Sequence, residues 1–125
     1  MTATSITLDY IDWSADYRFR SQVSLGTNEQ YYLLDADYSV REDAWYISLF
    51  TENEEPIIQG QKLVIGYDIL ELCYHPNKPN CKLIPNTDED SILRVDYENM
   101  VDGSIKLYHL TDEDISNINQ QIYSN

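Results

Sequence analysis

Cys73, His75 and Cys81 stand in one short stretch, with His109 further along the chain. Thiolate and imidazole are the usual ligands of zinc, and alternation along a strand would put Cys73 and His75 on the same side. The spacing C-x-H-x5-C matches none of the common zinc arrangements, and no CxxC knuckle is present, so no metal is expected. The two Cys flank a Pro-containing loop and could approach within disulfide range, but a cytosolic origin favours free thiols, and buried, reduced Cys is the expectation. Carboxylates recur in pairs, Glu54 with Glu55 and Asp88 with Asp90. Neither stretch has the D-x-[DN]-x-[DN]-G spacing of a calcium loop, so both read as solvated loop charge. Neither His lies beside a Ser or Cys motif, and there is no G-x-S-x-G. The sequence therefore points to no enzyme and no cofactor.

Charge narrows the partners. The 125 residues carry 22 Asp and Glu against 8 Lys and Arg, a formal net charge of -14. Such a surface repels phosphate backbones and anionic lipid, so neither nucleic acid nor membrane is expected as a direct partner. No apolar run approaches the roughly 18 residues of a membrane span, and "MTATSITLDYIDW" lacks the basic and apolar regions of a signal peptide, so synthesis in the cytoplasm is expected. Of the aromatic residues, Trp13, Tyr31 or Tyr32, Tyr38, Tyr67 and Tyr74 could stack on sugars. Tyr and Trp are equally what protein interfaces select, because they cover much area and keep one polar end.

The elements that must position these residues are short. Eleven Tyr and many β-branched residues recur in segments separated by Asp, Asn, Gly and Pro, the pattern of an antiparallel β domain. In "YRFRSQVSL", Tyr17, Phe19, Val23 and Leu25 share one parity and Arg18, Arg20, Gln22 and Ser24 the other, giving a buried face and a wet one. "GTN" turns the chain, "EQYYLLDADYSV" returns as a strand, and "REDA" turns it again, so a meander is expected. Trp45, Ile47 and Leu49 then point together into the core, and Trp45 is expected to be buried. After the loop "TENEEP", "IIQGQKLVIG" reads as a strand pair or a bent strand, kinked at Gly60 with the bend facing a core neighbour. Gly66 is expected at positive φ, with Asp68 capping backbone N–H groups.

"DILELCYH" satisfies neither the helical nor the strand period and stays open between a helical turn and a strand. "CKLIP", "SILRVDY" and "GSIKLYHL" read as further strands, with "ENMVDG" as a connecting loop. "TDEDISNINQQIYSN" begins with Thr111 as N-cap and acidic residues in its first turn, where the helix dipole favours them. Ile115, Ile118 and Ile122 would line one face of a helix too short to be stable alone, so the stripe must dock on something. The whole is expected to be one mainly β domain over 1–125, a small antiparallel β-sandwich or partly open barrel. Its core spans about 17–112, preceded by an N-terminal arm over 1–14 and followed by a short C-terminal helix over about 112–123.

The order "WYISLF", an acidic turn with Pro56, "IIQGQKLVIGYDIL", then "KLIP" and "IKLYHL" resembles the baseplate plug family of contractile-tailed phages, of the cyanophage type. The family pattern falls on Phe19, on Trp45 with Leu49, and on Gly60 with Leu63. It continues through Gly66, Asp68, Ile69 and Leu70, then Leu83 with Ile84, and closes at Leu107 with Tyr108. The resemblance covers about residues 17–112. Its motifs are glycines and core residues, which specify a fold more than a role. The chain departs from the pattern at "DADYS", where a polar-aromatic pair is usual, and in the helix from Thr111 onward.

What the resemblance implies is a structural subunit of the virion's tail baseplate. It would contact hub, tube or spike proteins in several copies of a symmetric assembly, with Ile115, Ile118, Ile122 and Trp13 as candidate interface residues. Two other readings stand beside it. One is an acidic phage inhibitor that mimics nucleic-acid charge, although such mimics array Asp and Glu along a ridge and here they cluster in turns. The other is a carbohydrate-binding module, separable by glycan binding that survives high salt.

Overall fold

In the computed structural model, which describes residues 8–123 and their side chains as far as Asn117, the chain builds two antiparallel sheets. A four-stranded meander runs β2 (Arg18–Leu25), β3 (Gln30–Ser39), β4 (Ala44–Thr51) and β5 (Pro56–Lys62), each strand hydrogen-bonded to the next. The three-stranded sheet has the order β1 (Asp9–Ile11), β7 (Lys106–Leu110), β6 (Lys82–Asn86). Helix α1 (Tyr97–Val101) precedes β7, and α2 (Asp112–Tyr123) follows it. The sheets are not closed into a barrel, and the fold is mainly β with a C-terminal helix, as the sequence indicates.

Register in the meander follows the hydrophobic parity. Tyr38 faces Trp45, Ala36 faces Ile47, and Leu34 faces Leu49 across β3 and β4. A slip of one residue would turn each of these side chains to water. Trp45, Ile47 and Leu49 are fully buried, and one core cluster joins them to Leu83 of β6 and Leu107 of β7. Burial of each such side chain is worth about 1.5–3 kcal/mol, so the core between the sheets holds both to one another. On the wet face, Arg20 reaches Asp35 on β3 and Glu54 in the β4–β5 turn, each at 2.6 Å. These pairs are exposed and contribute little to stability. Tyr17, expected on the buried face, is more than half exposed because it precedes β2 and stacks at the rim against Tyr38 and Tyr97.

Four sequence expectations change. β1 lies within the stretch expected as an N-terminal arm, pairing Asp9 with His109 and Ile11 with Leu107; three residues are too few for a visible alternation. "SILRVDY" is not a strand. Ile92 and Val95 turn inward while Leu93 and Arg94 turn out, and the Arg94 guanidinium donates to the carbonyls of Glu42 and Asp43. "ENMVDG", expected as a loop, supplies α1, which Asp96 caps by accepting from the Asn99 N–H at 2.9 Å. The fourth is the bend at Gly60. Strand β5 does bend, with register shifts opposite Ile47 to Phe50 and Gly60 at φ +65, its N–H donating to Ser48 Oγ. A Cβ at Gly60 would meet nothing within 4 Å, so its backbone conformation, not a crowded core neighbour, calls for glycine.

"DILELCYH" resolves into consecutive turns: the Glu71 N–H donates to the Asp68 carbonyl, and the Cys73 N–H to that of Leu70. Gly66 has φ +84, and Asp68 Oδ1 accepts from the N–H groups of Leu70 (3.0 Å) and Leu83 (2.9 Å). One carboxylate thereby fixes the turn and docks it on β6. At the other end, Thr111 and Asp114 cap α2 reciprocally, side chain to backbone N–H in both directions.

Candidate docking surface

The residues with chemical potential are occupied by structural tasks. His109, about nine-tenths buried, accepts the Gly26 N–H on Nε2 at 3.0 Å and so ties the turn after β2 to β7. His75 accepts the Asn77 N–H on Nδ1 and turns Nε2 toward Glu55 at 3.0 Å. Cys73 and Cys81 are free thiols, both half-buried. Burial pushes the Cys81 thiol up to about 12, so it is neither a ready nucleophile nor a ready metal ligand. The Cys73 thiol lies 3.7 Å from the Ile57 carbonyl. Among the described residues no group of three or more His, Cys, Asp and Glu is placed to hold a metal ion, and no helix is long and apolar enough to cross a membrane.

The family-pattern residues sit in the core and its turns. Leu49, Leu63, Leu70 and Leu107 are buried, Tyr108 is half-buried, and Phe19 packs edge-on against Trp13 at 5.1 Å. Trp13, a candidate interface residue on sequence grounds, is directed inward. Its ring meets Trp45 at 5.1 Å and its indole N–H is buried. Tyr97, from the helix that sequence reasoning missed, stacks on Trp45 with an interplanar angle of 13°. The signal for it was present in the Asp96 cap followed by Glu98, but five residues are too short a run for a helical period to show. Ile115 is half-buried on α2, and the side chains of Ile118 and Ile122 lie outside the described residues. The sugar-stacking set is scattered: Tyr32 is buried, and Tyr31 and Tyr67 line different clefts.

Around Trp45 the aromatic cluster ends in a polar clasp. The Tyr38 hydroxyl and the Tyr97 N–H both donate to Asp43 Oδ1, and Arg94 approaches its other oxygen at 3.7 Å. These contacts, the Tyr38 hydrogen bond first, hold the Asp43 carboxyl below its ordinary range, while the same bond pushes the Tyr38 hydroxyl up to about 12. A carboxylate with a depressed folded pKa stabilises above its unfolded pKa, and that contribution is lost as pH falls through the folded value. Asp43→Asn is therefore expected to lower stability at pH 7, with the gap to the unchanged protein narrowing below about pH 4. Urea midpoints of both proteins between neutral and acid pH measure this, and a gap that widened on acidification would contradict it.

An apolar group of exposed side chains lies at the loops between β5 and α1. Val64, Tyr67, Leu72 and Leu93 are all exposed, Leu72 and Leu93 by 81% and 86%. Two neighbouring clefts share Lys62 and Val64; one continues through Tyr67 and Leu72, the other through Leu93. Val64 borders both clefts, so these apolar side chains are grouped along one stretch of surface, with Lys62, Asp68, Glu71 and Arg94 among them. Single exposed apolar side chains are ordinary, but a contiguous patch marks an interaction site.

Compared with known proteins, residues 8–113 match the model of one family, described as cyanophage baseplate Pam3 plug gp18. No curated protein matches the chain.

Proposed function

The chain belongs to the cyanophage baseplate plug family, and from that membership we propose that it is a structural subunit of a phage tail baseplate, seated against hub, tube or spike proteins by side-chain packing. The family points to a non-enzymatic role in the virion, among other baseplate proteins. One observation carries the finer reading: a member of a baseplate family presents Val64, Tyr67, Leu72 and Leu93 together to solvent. Removing such area from water is worth roughly 25 cal/mol per Å². The occupant of this surface is an apolar face of a neighbouring baseplate protein, and several copies sit around the tail axis, as closed symmetric assemblies usually arrange. The net charge of -14 keeps the free subunit dispersed until that face is met.

Localisation tests the reading. A peptide-tagged chain supplied during infection is expected in purified virions, detected by gold label at the baseplate end of the tail. Attachment should survive moderate salt, since apolar contacts are not screened. Virions free of the tagged chain, or label at the capsid, would overturn the proposal.

A further inference from the structure

We infer that the open seam between β1 and β2 is a docking groove for one extended, cationic segment of a partner protein, added as a strand between the two sheet edges. The inference deepens the baseplate reading and rests on it. Among the described residues β1 and β2 are the outer strands of their sheets, and together they line a cleft of about 650 Å³.

The backbone groups that face this cleft follow from the ladders. The carbonyls of Leu83 and Pro85 accept from the Ile69 and Gly66 N–H groups, so these residues of β6 turn away from β7 and Ile84 bonds to it opposite Tyr108. In an antiparallel ladder the direction alternates by residue. Leu107 and His109 of β7 therefore bond to Ile11 and Asp9 of β1, and Tyr10 between them turns its N–H and C=O outward. On the other side, the Tyr38 N–H donates to the Tyr17 carbonyl at 2.7 Å. The odd-numbered residues of β2 thus serve β3, and Gln22 and Ser24 present their backbone groups to the cleft. An unpaired edge is a template for another strand, and here two edges border one cleft.

Charge selects the occupant. Among the described residues Asp9, Asp12, Glu29, Glu113 and Asp114 line it and no Lys or Arg does, the Lys106 ammonium being held over the Tyr10 ring at 4.5 Å. A second copy of a chain with net charge -14 is disfavoured there, and residues 1–7 contain no Lys or Arg. Lysine or arginine side chains on an incoming strand complement the rim, while its backbone completes the edges. The His109 bond to the Gly26 N–H joins the turn after β2 to β7 at this cleft, which fixes the two sheets relative to one another before anything binds.

The probe is an acetylated octapeptide alternating Lys and Val, titrated into the full chain and followed by amide NMR. Shifts centred on Tyr10, Gln22 and Ser24 are expected, with no binding by the matching Glu and Val peptide. N-methylation of the Lys–Val backbone, which leaves its charge intact, is expected to weaken binding at least about tenfold, the scale of one or two lost hydrogen bonds. Gln22→Pro removes an outward N–H at an edge position where proline is tolerated, and is expected to weaken binding to a similar extent with unchanged thermal unfolding. If that variant does not fold, the N-methylated peptide still decides with the protein unaltered. Equal binding of the methylated and plain peptides would show charge attraction alone and overturn the strand reading, as would shifts confined to other faces or no binding at all. The groove fails alone if the tagged chain is found at the baseplate but the peptide result is negative.

Discussion

Trp45→Ala is expected to lower the free energy of unfolding by about 3–5 kcal/mol, the largest loss from any single truncation in the core. Trp45 is fully buried, and four aromatic rings surround it: Trp13, Phe19, Tyr38 and Tyr97, with centroids between 5.1 and 6.0 Å. These rings come from the segment before β2, from β2, from β3 and from α1, so the indole is where four parts of the chain meet. Its removal leaves a cavity and also frees α1, whose Tyr97 loses its stacking partner. Trp45→Phe keeps most of the ring contact and is expected to lose less than half as much. Urea unfolding followed through Trp13 fluorescence reads both variants, with the slope unchanged if only stability has moved. A loss below about 1 kcal/mol for Trp45→Ala would show that the site collapses without cost and would remove the indole from its place at the centre of the core.

The burial of Trp45 was legible because Trp45, Ile47 and Leu49 alternate strictly between two polar turns, and a half-buried strand leaves that trace. Asp68 was legible for a different reason: a glycine that must take positive φ is followed two residues later by a short acceptor, and both Gly66 and Asp68 behave accordingly. Where the sequence misled, side chains had replaced ladders as the backbone's partners. Around "SILRVDY" the Tyr97 N–H is satisfied by the Asp43 carboxylate, and Asp43 and Glu42 carbonyls by Arg94. None of those pairings has a period. β1 was hidden because its three residues borrow their stability from β7, and the family match from residue 8 includes it where the motif reading began near Phe19. The exposed patch was illegible in principle. Val64, Leu72 and Leu93 read as core residues by type, and only the fold, which turns the 63–73 segment along β6, shows that they face solvent.

The consequence of that patch for assembly is the second large effect. If the chain is the baseplate subunit proposed above, a phage lacking the gene is expected to make capsids but no assembled tails. The native gene supplied in trans restores tails. The double variant Val64→Asp with Leu93→Asp is expected not to restore them. Both side chains are exposed, at 42% and 86%, so the substitutions should leave the isolated domain within about 0.5 kcal/mol of native stability. In a docked interface the same two carboxylates must be desolvated against an apolar face. Two central contacts of that kind are worth about 2–4 kcal/mol or more, and at 1.4 kcal/mol per tenfold this lowers affinity by roughly 30- to 1000-fold. Counts of assembled tails by electron microscopy, alongside a thermal unfolding curve of the purified variant, separate an assembly defect from a folding defect. Full restoration by the double variant would move the docking face elsewhere on the domain and leave the baseplate role standing. Normal tails in the deleted phage, with only a greater sensitivity to a host defence, would overturn that role itself. The net charge of -14 would then be the active feature, as in an inhibitor that imitates nucleic acid, and its grip on a basic target would weaken steeply as salt is raised.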